Sequence, residues 1–307
     1  MHVYKPSMIA YTAAIAVTAM TISGCGSSKP ASTPQATSAS GGSSSSSSVD
    51  SAAAKLVPAS VKSKGTITIG MDASYPPMEF FKPGSNTIVG MDADLGKALG
   101  KVLKLKVVEK NVTFDSIIPG LQDGRYDMGI SGFGDTKKRE QVVDFVTYLS
   151  AGQSFYTKSD STKKFNGIGS ICGAKVAVEN GTTEQANALA QSKKCTASGK
   201  PAVAVQQFAT QTAANLAVSS GRADVGFSDS PPVDYTVQQS NGQFKVSGPS
   251  FGAVPFGIAL PKGNGMAAAT QAAMKDLIAD GTYASILKKW NMTDSAITNP
   301  VVNGAIN

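Results

Sequence analysis

The sequence predicts an α/β fold of two lobes facing one another across a cleft. Three observations carry this reading. Strand and helix patterns alternate along the chain, the alternation starts afresh in the second half, and one eight-residue phrase is written in both halves. The phrase is GRYDMGIS at 124–131 and GRADVGFS at 221–228. Gly, Arg, Asp, Gly and Ser keep their places, and only small or apolar neighbours change.

In the first half, Thr66-Ile67-Thr68-Ile69-Gly70 alternates as a strand does, and Asp94 to Leu103 follows with helical spacing. Lys106 to Glu109 reads as a strand, Phe114 to Leu121 as a helix, and the first GR phrase enters a strand at Tyr126. In the second half, Lys175 to Val178 is a strand, Thr183 to Gln191 a helix and Ala202 to Val205 a strand. Ala209 to Ser220 is then a helix leading into the second phrase. Such alternation argues for parallel βαβ units. Each copy of the phrase ends a helix at Gly and starts a central strand, which runs into polar residues at its carboxyl end. Crevices beyond such strand ends are where open α/β sheets bind ligands. A chance repeat of eight residues is the competing reading; the matching context favours two related lobes.

The amino-terminal stretch reads as a signal rather than as fold. Lys5 supplies a positive start, and Met8 to Ile22 is an apolar run too short for a stable span. Ser23 and Gly24 are the small residues that a signal peptidase requires, and the following Cys25 resembles the cysteine of a bacterial lipobox. Residues 1–24 are then a lipoprotein signal peptide, with Cys25 acylated and anchored to a membrane face. An ordinary secretory signal with an incidental cysteine is the alternative. Residues 25–56, rich in Ser, Gly and Ala and including the run Ser43 to Ser48, read as a flexible tether.

Composition excludes several function classes. The single histidine is His2, inside the signal, so histidine triads, histidine metal sites and histidine acid–base catalysis are excluded from the mature chain. There is no Walker loop. Removing Lys5 with the signal takes the net charge from +7 to +6, and no Lys/Arg cluster interleaves with aromatics, so nucleic-acid binding is unsupported. Cys172 and Cys195 remain, and in an exported chain such a pair reads as a disulfide worth about 3 kcal/mol on the chain-entropy model. Two free buried thiols are the alternative.

An ordered set of motifs then resembles the extracytoplasmic solute-binding proteins of ABC importers, in the family (family 3) that captures polar amino acids. The set is Asp72-Ala73-Ser74-Tyr75-Pro76-Pro77-Met78-Glu79-Phe80, Gly90-Met91-Asp92-Ala93-Asp94-Leu95, Asp135-Thr136-Lys137-Lys138-Arg139, Gly181-Thr182-Thr183, and Gly281-Thr282-Tyr283 to Lys289-Trp290. The resemblance covers the chain from about Gly65 to Trp290. It implies a periplasmic-binding-protein-like fold, with two α/β lobes joined by crossover strands near Gly152–Tyr156 and Phe251–Phe256. Lobe 1 is then 57–153 plus 254–307, and lobe 2 is 154–253. It also implies a monomer, not an enzyme and without a cofactor, on the outer face of the bacterial cytoplasmic membrane; a ligand-sensing lipoprotein for a receptor and a same-fold dehydratase- or lyase-type enzyme are the alternatives. Its partners are an amino-acid ligand, an ABC permease with its ATPase, and the membrane, through the lipid on Cys25.

The chemistry of the matched residues agrees with that role. A dry zwitterion needs a partner for each charge. Arg139 matches the position that grips the α-carboxylate, Asp229 the one that accepts from the α-ammonium, and the helix start at Thr183 offers N–H donors. Ser131 and Gly132, on the loop before Arg139, are expected to contact the ligand as well. Tyr75 and Phe114 match rings that sandwich the ligand. Asp72, Glu179 and Glu184 fall near the ligand side chain or cleft rim; with Asp229 they outnumber Arg139 and favour arginine, lysine or ornithine. Each residue has a plainer reading: Arg139 as one member of a basic surface run, Asp229 and Glu184 as helix-start acids, Phe114 as core, Glu179 as solvent-facing. Asp92 and Asp94 read as helix-start acids only. Gly134 departs from the family, which carries a hydroxyl residue five before the arginine; with Gly132 also bare, backbone N–H groups are left to do that work.

Overall fold

The computed structural model describes residues 52–306. The expected signal, Cys25 and the tether as far as residue 51 lie outside the described residues. The expected tether is too long at its carboxyl end, because Ala52–Leu56 form a helix (α1) with Ala53 and Ala54 buried. Consecutive alanines are the strongest helix formers, and this short helix packs on α9 (Met266–Ala279).

The first lobe is organised around β1 (Thr66–Met71), which pairs in parallel with β5 (Lys106–Asn111) and with the two-residue β6 (Met128–Gly129). The crossovers are α3 (Met91–Leu103) and α4 (Phe114–Gln122). A small antiparallel sheet, β2 (Ser74–Tyr75), β3 (Glu79–Phe81) and β4 (Ile88–Val89), rides on this lobe and carries Tyr75 toward the cleft. In the second lobe β8 (Lys175–Glu179) pairs in parallel with β9 (Ala204–Phe208) and β10 (Val225–Asp229). The helices α6 (Thr183–Ala197), α7 (Gln211–Ser219) and α8 (Ser230–Gln239) complete it.

Two long strands, β7 (Val143–Lys158) and β11 (Phe244–Pro261), run antiparallel through both lobes. Their pairing shifts register between Ser247 and Phe251 and again before Val254, where the crossovers were expected. One eight-stranded sheet results, in the order β5-β1-β6-β11-β7-β10-β8-β9. Each lobe has its own apolar core, around Ile67, Ile69, Leu95 and Leu99 in one and Phe155, Val176, Val178 and Phe227 in the other. Among the described residues no helix is long and apolar enough to cross a membrane.

The repeated phrase performs the same structural task twice. Gly124 and Gly221 each end a helix with positive φ, 69° and 73°, the left-handed conformation that glycine adopts most cheaply. The two aspartates then staple neighbouring strands. Asp127 donates its N–H to Thr68 O and accepts from Thr68 N, both at 2.9 Å. Asp224 does the same to Lys175, at 2.8 and 2.9 Å. The strand expected from Tyr126 begins only at Met128, because the Tyr126 N–H turns back to Gly120 O at the helix end.

Cys172 and Cys195 form a disulfide with Cα atoms 5.7 Å apart, joining the turn after Ile168–Ile171 to the far end of α6.

Candidate ligand-binding site

The two lobes close on a cleft that leaves only about 10 Å³ of free space, lined by Tyr75, Phe114, Gly132, Gly134 and Arg139 from one lobe and by Glu179, Thr182, Thr183, Glu184 and Asp229 from the other. A buried water needs about 10–15 Å³ of such space, so the lobes are shut on one another and a small ligand enters only when they part.

Arg139 is placed by α5 (Lys137–Glu140), a single turn whose start is capped by Thr136 Oγ1 accepting from Arg139 N at 3.2 Å. Its guanidinium lies 5.5 and 5.3 Å from the Phe114 and Phe133 ring centres, within cation–π range. It donates to Gly134 O at 2.7 Å and across the cleft to Gly181 O at 2.9 Å. Arg139 thus links the two lobes directly. Burial lowers its pKa from the ordinary value, opposed by the charges of Glu184, Asp229 and Asp135. The basic-surface reading of Arg139 is overturned by these contacts.

Facing it are carboxyl groups of the second lobe. Asp229 ends β10 and accepts from Tyr75 Oη at 2.7 Å. Glu184, in the first turn of α6, is buried rather than a rim acid, and accepts from Gln153 Nε2 at 2.6 Å and Thr183 Oγ1 at 3.0 Å. Burial, then the adjacent Glu184 charge, pushes the Asp229 pKa well above the carboxylate range. Glu179 is also buried, not solvent-facing, and its Oε1 meets no donor among the described residues. Burial and the neighbouring Asp72, to which it hydrogen-bonds, raise its pKa well above the ordinary value.

Two expected site residues stand behind the cavity rather than on it. Asp72 accepts from Ser74 N at 3.0 Å and Phe114 N at 2.9 Å, fixing the start of α4. Ser131 accepts from Asp72 N at 2.9 Å and donates to Glu79 Oε1 at 2.7 Å, so its hydroxyl is turned inward. Gly132, with φ of 55°, has no room for a side chain: an added Cβ would sit 2.9 Å from the Tyr75 ring. Gly134 differs, because a Cβ there meets nothing closer than 3.5 Å.

Sequence reasoning missed a buried acid pair beneath this loop. Asp92 is in the first turn of α3 as expected, yet its carboxylate points inward and accepts from Gly132 N at 2.8 Å and Tyr148 Oη at 2.9 Å. Its second oxygen and Glu79 Oε2 have no other partner, and a shared proton satisfies both. Glu79 is the protonated member, its pKa raised far by burial and the Asp92 charge, while Asp92, with two donors, titrates at about 6. The one available signal was Glu79 itself, an acid set among Met78, Phe80 and Phe81. Gln153, buried on β7 and bonded to Glu184 and Asn187, was also missed. Asp94 accepts from Lys289 Nζ and Trp290 Nε1 on α10 (Thr282–Lys289) and its following residue, and so ties the two ends of the lobe together.

This fold is shared with known proteins. The model of the bacterial extracellular solute-binding proteins, family 3, matches residues 67–293. The chain is 30% identical over 249 residues to the arginine-binding protein ArgT of Corynebacterium glutamicum, with 81% of each chain covered. It is 32% identical over 231 residues to the ABC transporter arginine-binding protein 1 of Escherichia coli, covering 73% of this chain and 90% of that one. Among solved structures, an ancestral arginine-binding protein bound to arginine matches with a TM-score of 0.67 at 34% identity, over 74% of this chain and 98% of the other. With the match running from β1 past the end of α10, this chain belongs to the bacterial extracellular solute-binding proteins, family 3, as an amino-acid-binding component of an ABC transporter.

Proposed function

We propose that the protein captures a cationic amino acid, arginine first, and delivers it unchanged to an ABC permease and its ATPase. The observation that carries the choice is the charge balance of the cavity: Glu179, Glu184 and Asp229 line it against Arg139 alone. A zwitterion uses Arg139 for its carboxylate and Asp229 for its ammonium. Glu179, with a buried oxygen lacking a donor, gives up its proton when a second positive charge arrives beside it. The arginine-binding relatives support the same choice.

The ligand bridges both lobes, so it favours the closed state by contacts that the open state lacks. The hinge lies where β7 and β11 change register, which supports lobe boundaries at 153/154 and 253/254. The protein works as a monomer, held to the outer face of the cytoplasmic membrane by a lipid on Cys25. A Cys25→Ser variant is expected in the medium rather than in the membrane fraction.

Calorimetric titration of the protein without its signal segment tests the ligand. Arginine is expected to bind at least about tenfold more tightly than glutamine, the difference expected of a charge-assisted hydrogen bond. Equal or tighter binding of glutamine or glutamate overturns the cationic reading, and recovery of a chemically altered ligand overturns simple capture.

A further inference from the structure

The residues after Pro300 lie far along the chain from the cavity, yet they end against the turn that carries Arg139. Val301 exchanges hydrogen bonds with Thr147, its N–H to Oγ1 and its carbonyl from Thr147 N, both 2.9 Å. Val302 bridges to Val146 in antiparallel register. This covers the edge of β7 that β10 leaves unpaired, since β10 pairs with β7 only at Gln153–Tyr156. Asn303, with φ of 54°, then turns the chain off the strand, a conformation that asparagine tolerates better than most residues. It is pinned there by Phe145 N to its Oδ1 at 2.8 Å and its own N–H to Phe145 O at 3.0 Å.

Beyond the turn come two backbone donors. Gly304 N–H reaches Asp135 Oδ2 at 2.8 Å, and Ala305 N–H reaches Glu140 Oε1 at 3.0 Å. Asp135 immediately precedes the cap of α5 and Glu140 ends it, so the two carboxylates bracket the single turn that presents Arg139. They also lie against each other, and burial together with the Glu140 charge raises the Asp135 pKa to about 6. A one-turn helix has little stability of its own. Its ends are held by neighbours: Asp135 N–H to Pro255 O at 2.8 Å, Lys262 Nζ to Glu140 O, Lys137 Nζ to the Glu140 carboxylate at 3.0 Å, and the two strap amides. The strap offsets the repulsion between the two carboxylates and keeps both ends of the turn in place.

We propose that Val301–Ala305 is a positioning strap for the ligand site: its Gly304 and Ala305 N–H groups clamp Asp135 and Glu140 and thereby aim Arg139 across the cleft. The strap touches neither the cavity nor Gly181, so its effect on binding passes through Arg139. This rests on the arginine-capture reading for its binding readout.

The test removes one strap donor. Ala305→Pro deletes the N–H that reaches Glu140, and Ala305→Gly keeps it. Ala305→Pro is expected to weaken arginine binding about tenfold, the loss expected for a hydrogen bond to a charged group, while Ala305→Gly stays within about twofold. In an Arg139→Lys background, Ala305→Pro is expected to cost less than about twofold more, since the group being aimed is gone. Unchanged affinity for Ala305→Pro, or an equal loss in both backgrounds, overturns the proposal. Hydrogen exchange separates this failure from failure of the ligand reading. The Arg139 and Glu140 amides are expected to exchange faster in Ala305→Pro than in Ala305→Gly, whatever the ligand proves to be. Equal rates overturn the strap, whereas faster exchange in a protein that binds no cationic amino acid overturns only the ligand.

Discussion

Tyr75 and Asp229 meet across the cleft in both directions. The phenol donates to Asp229 Oδ2 at 2.7 Å, and the Asp229 amide donates back to the phenol oxygen at 3.3 Å. Ser228 Oγ stands 3.0 Å from the same hydroxyl, so the end of the second repeated phrase closes onto the first lobe. Removing the hydroxyl leaves a buried carboxyl group without its donor only in the closed state. Tyr75→Phe is therefore expected to weaken ligand binding about tenfold through loss of a hydrogen bond to an acidic group. The lobes themselves keep their cores, so the melting temperature of the ligand-free protein is expected to change little. Calorimetry beside a thermal melt separates the two, and wild-type affinity in Tyr75→Phe contradicts this account of closure.

Buried acids give the stability a definite slope with pH. Asp92 and Asp135 titrate at about 6 against an ordinary 3.8, and Glu79, Glu179 and Asp229 are raised well above their ordinary values, in each case chiefly through burial. The folded protein therefore holds protons that the unfolded chain releases. Stability from these groups is full below the ordinary carboxylate pKa and is lost as pH rises through the folded values. Glu140 and Asp224 run the other way, because lysine and backbone N–H bonds outweigh their burial. The raised group is larger, so the melting temperature is expected to fall between about pH 4 and 6. Asp92→Asn is expected to flatten that fall. A melting temperature that rises through the same window refutes the shared-proton pairs.

Glycines around the cavity divide into those that a methyl group would disrupt and those it would not. Gly181, at φ of 76°, brings its Cα against lobe 1, where an added Cβ would lie 2.9 Å from Asp115 Cβ. Gly181→Ala is expected to hold the lobes apart and weaken binding by tenfold or more, from left-handed strain together with the clash. Gly134→Ala meets only ordinary contacts, 3.5 Å or longer. It is expected to stay within about 1 kcal/mol of wild type in stability. Binding and melting measurements on the pair decide the matter; a tight-binding Gly181→Ala would mean that the ligand is held in a more open cleft.

The residues of the cavity were legible because their neighbours in sequence are also their neighbours in function. Arg139 follows its own cap, and Asp229 follows its own strand, so local pattern located both. What escaped was set by contacts between distant segments. Asp92 has the position of an ordinary first-turn acid, and only its bonds to Gly132 and to Tyr148, 56 residues on, turn it into a buried prop for the loop. Ser131 was placed on the right loop with its hydroxyl facing the wrong way, since Glu79 draws it inward. The repeat announced two related lobes correctly, but its aspartates serve as strand staples, a role visible only once Thr68 and Lys175 are seen beside them. Glu179 and Glu184 were expected near the ligand or the cleft rim, and their burial is visible only once both lobes are in place.

The disulfide separates stability from binding within one helix. Cys195 lies in the last turns of α6, 23 residues from its partner Cys172, whereas Thr183 and Glu184 lie in the first turn. That first turn is anchored independently of the sulfurs. Thr182 Oγ1 accepts from Gln185 N at 3.1 Å, Thr182 Oγ1 donates to Glu179 O at 2.8 Å, and Gln185 Oε1 accepts from Gly181 N at 2.7 Å. Replacing both cysteines by alanine releases about 3 kcal/mol of chain-entropy stabilisation. For a domain of this size that corresponds to a drop of roughly 6–12 °C in melting temperature. Ligand affinity measured well below the transition is expected to stay within about threefold, since the reciprocal cap still fixes the donors that face the cavity. A large loss of affinity with little change in melting temperature would reverse the assignment, making the disulfide a support of the site rather than of the lobe.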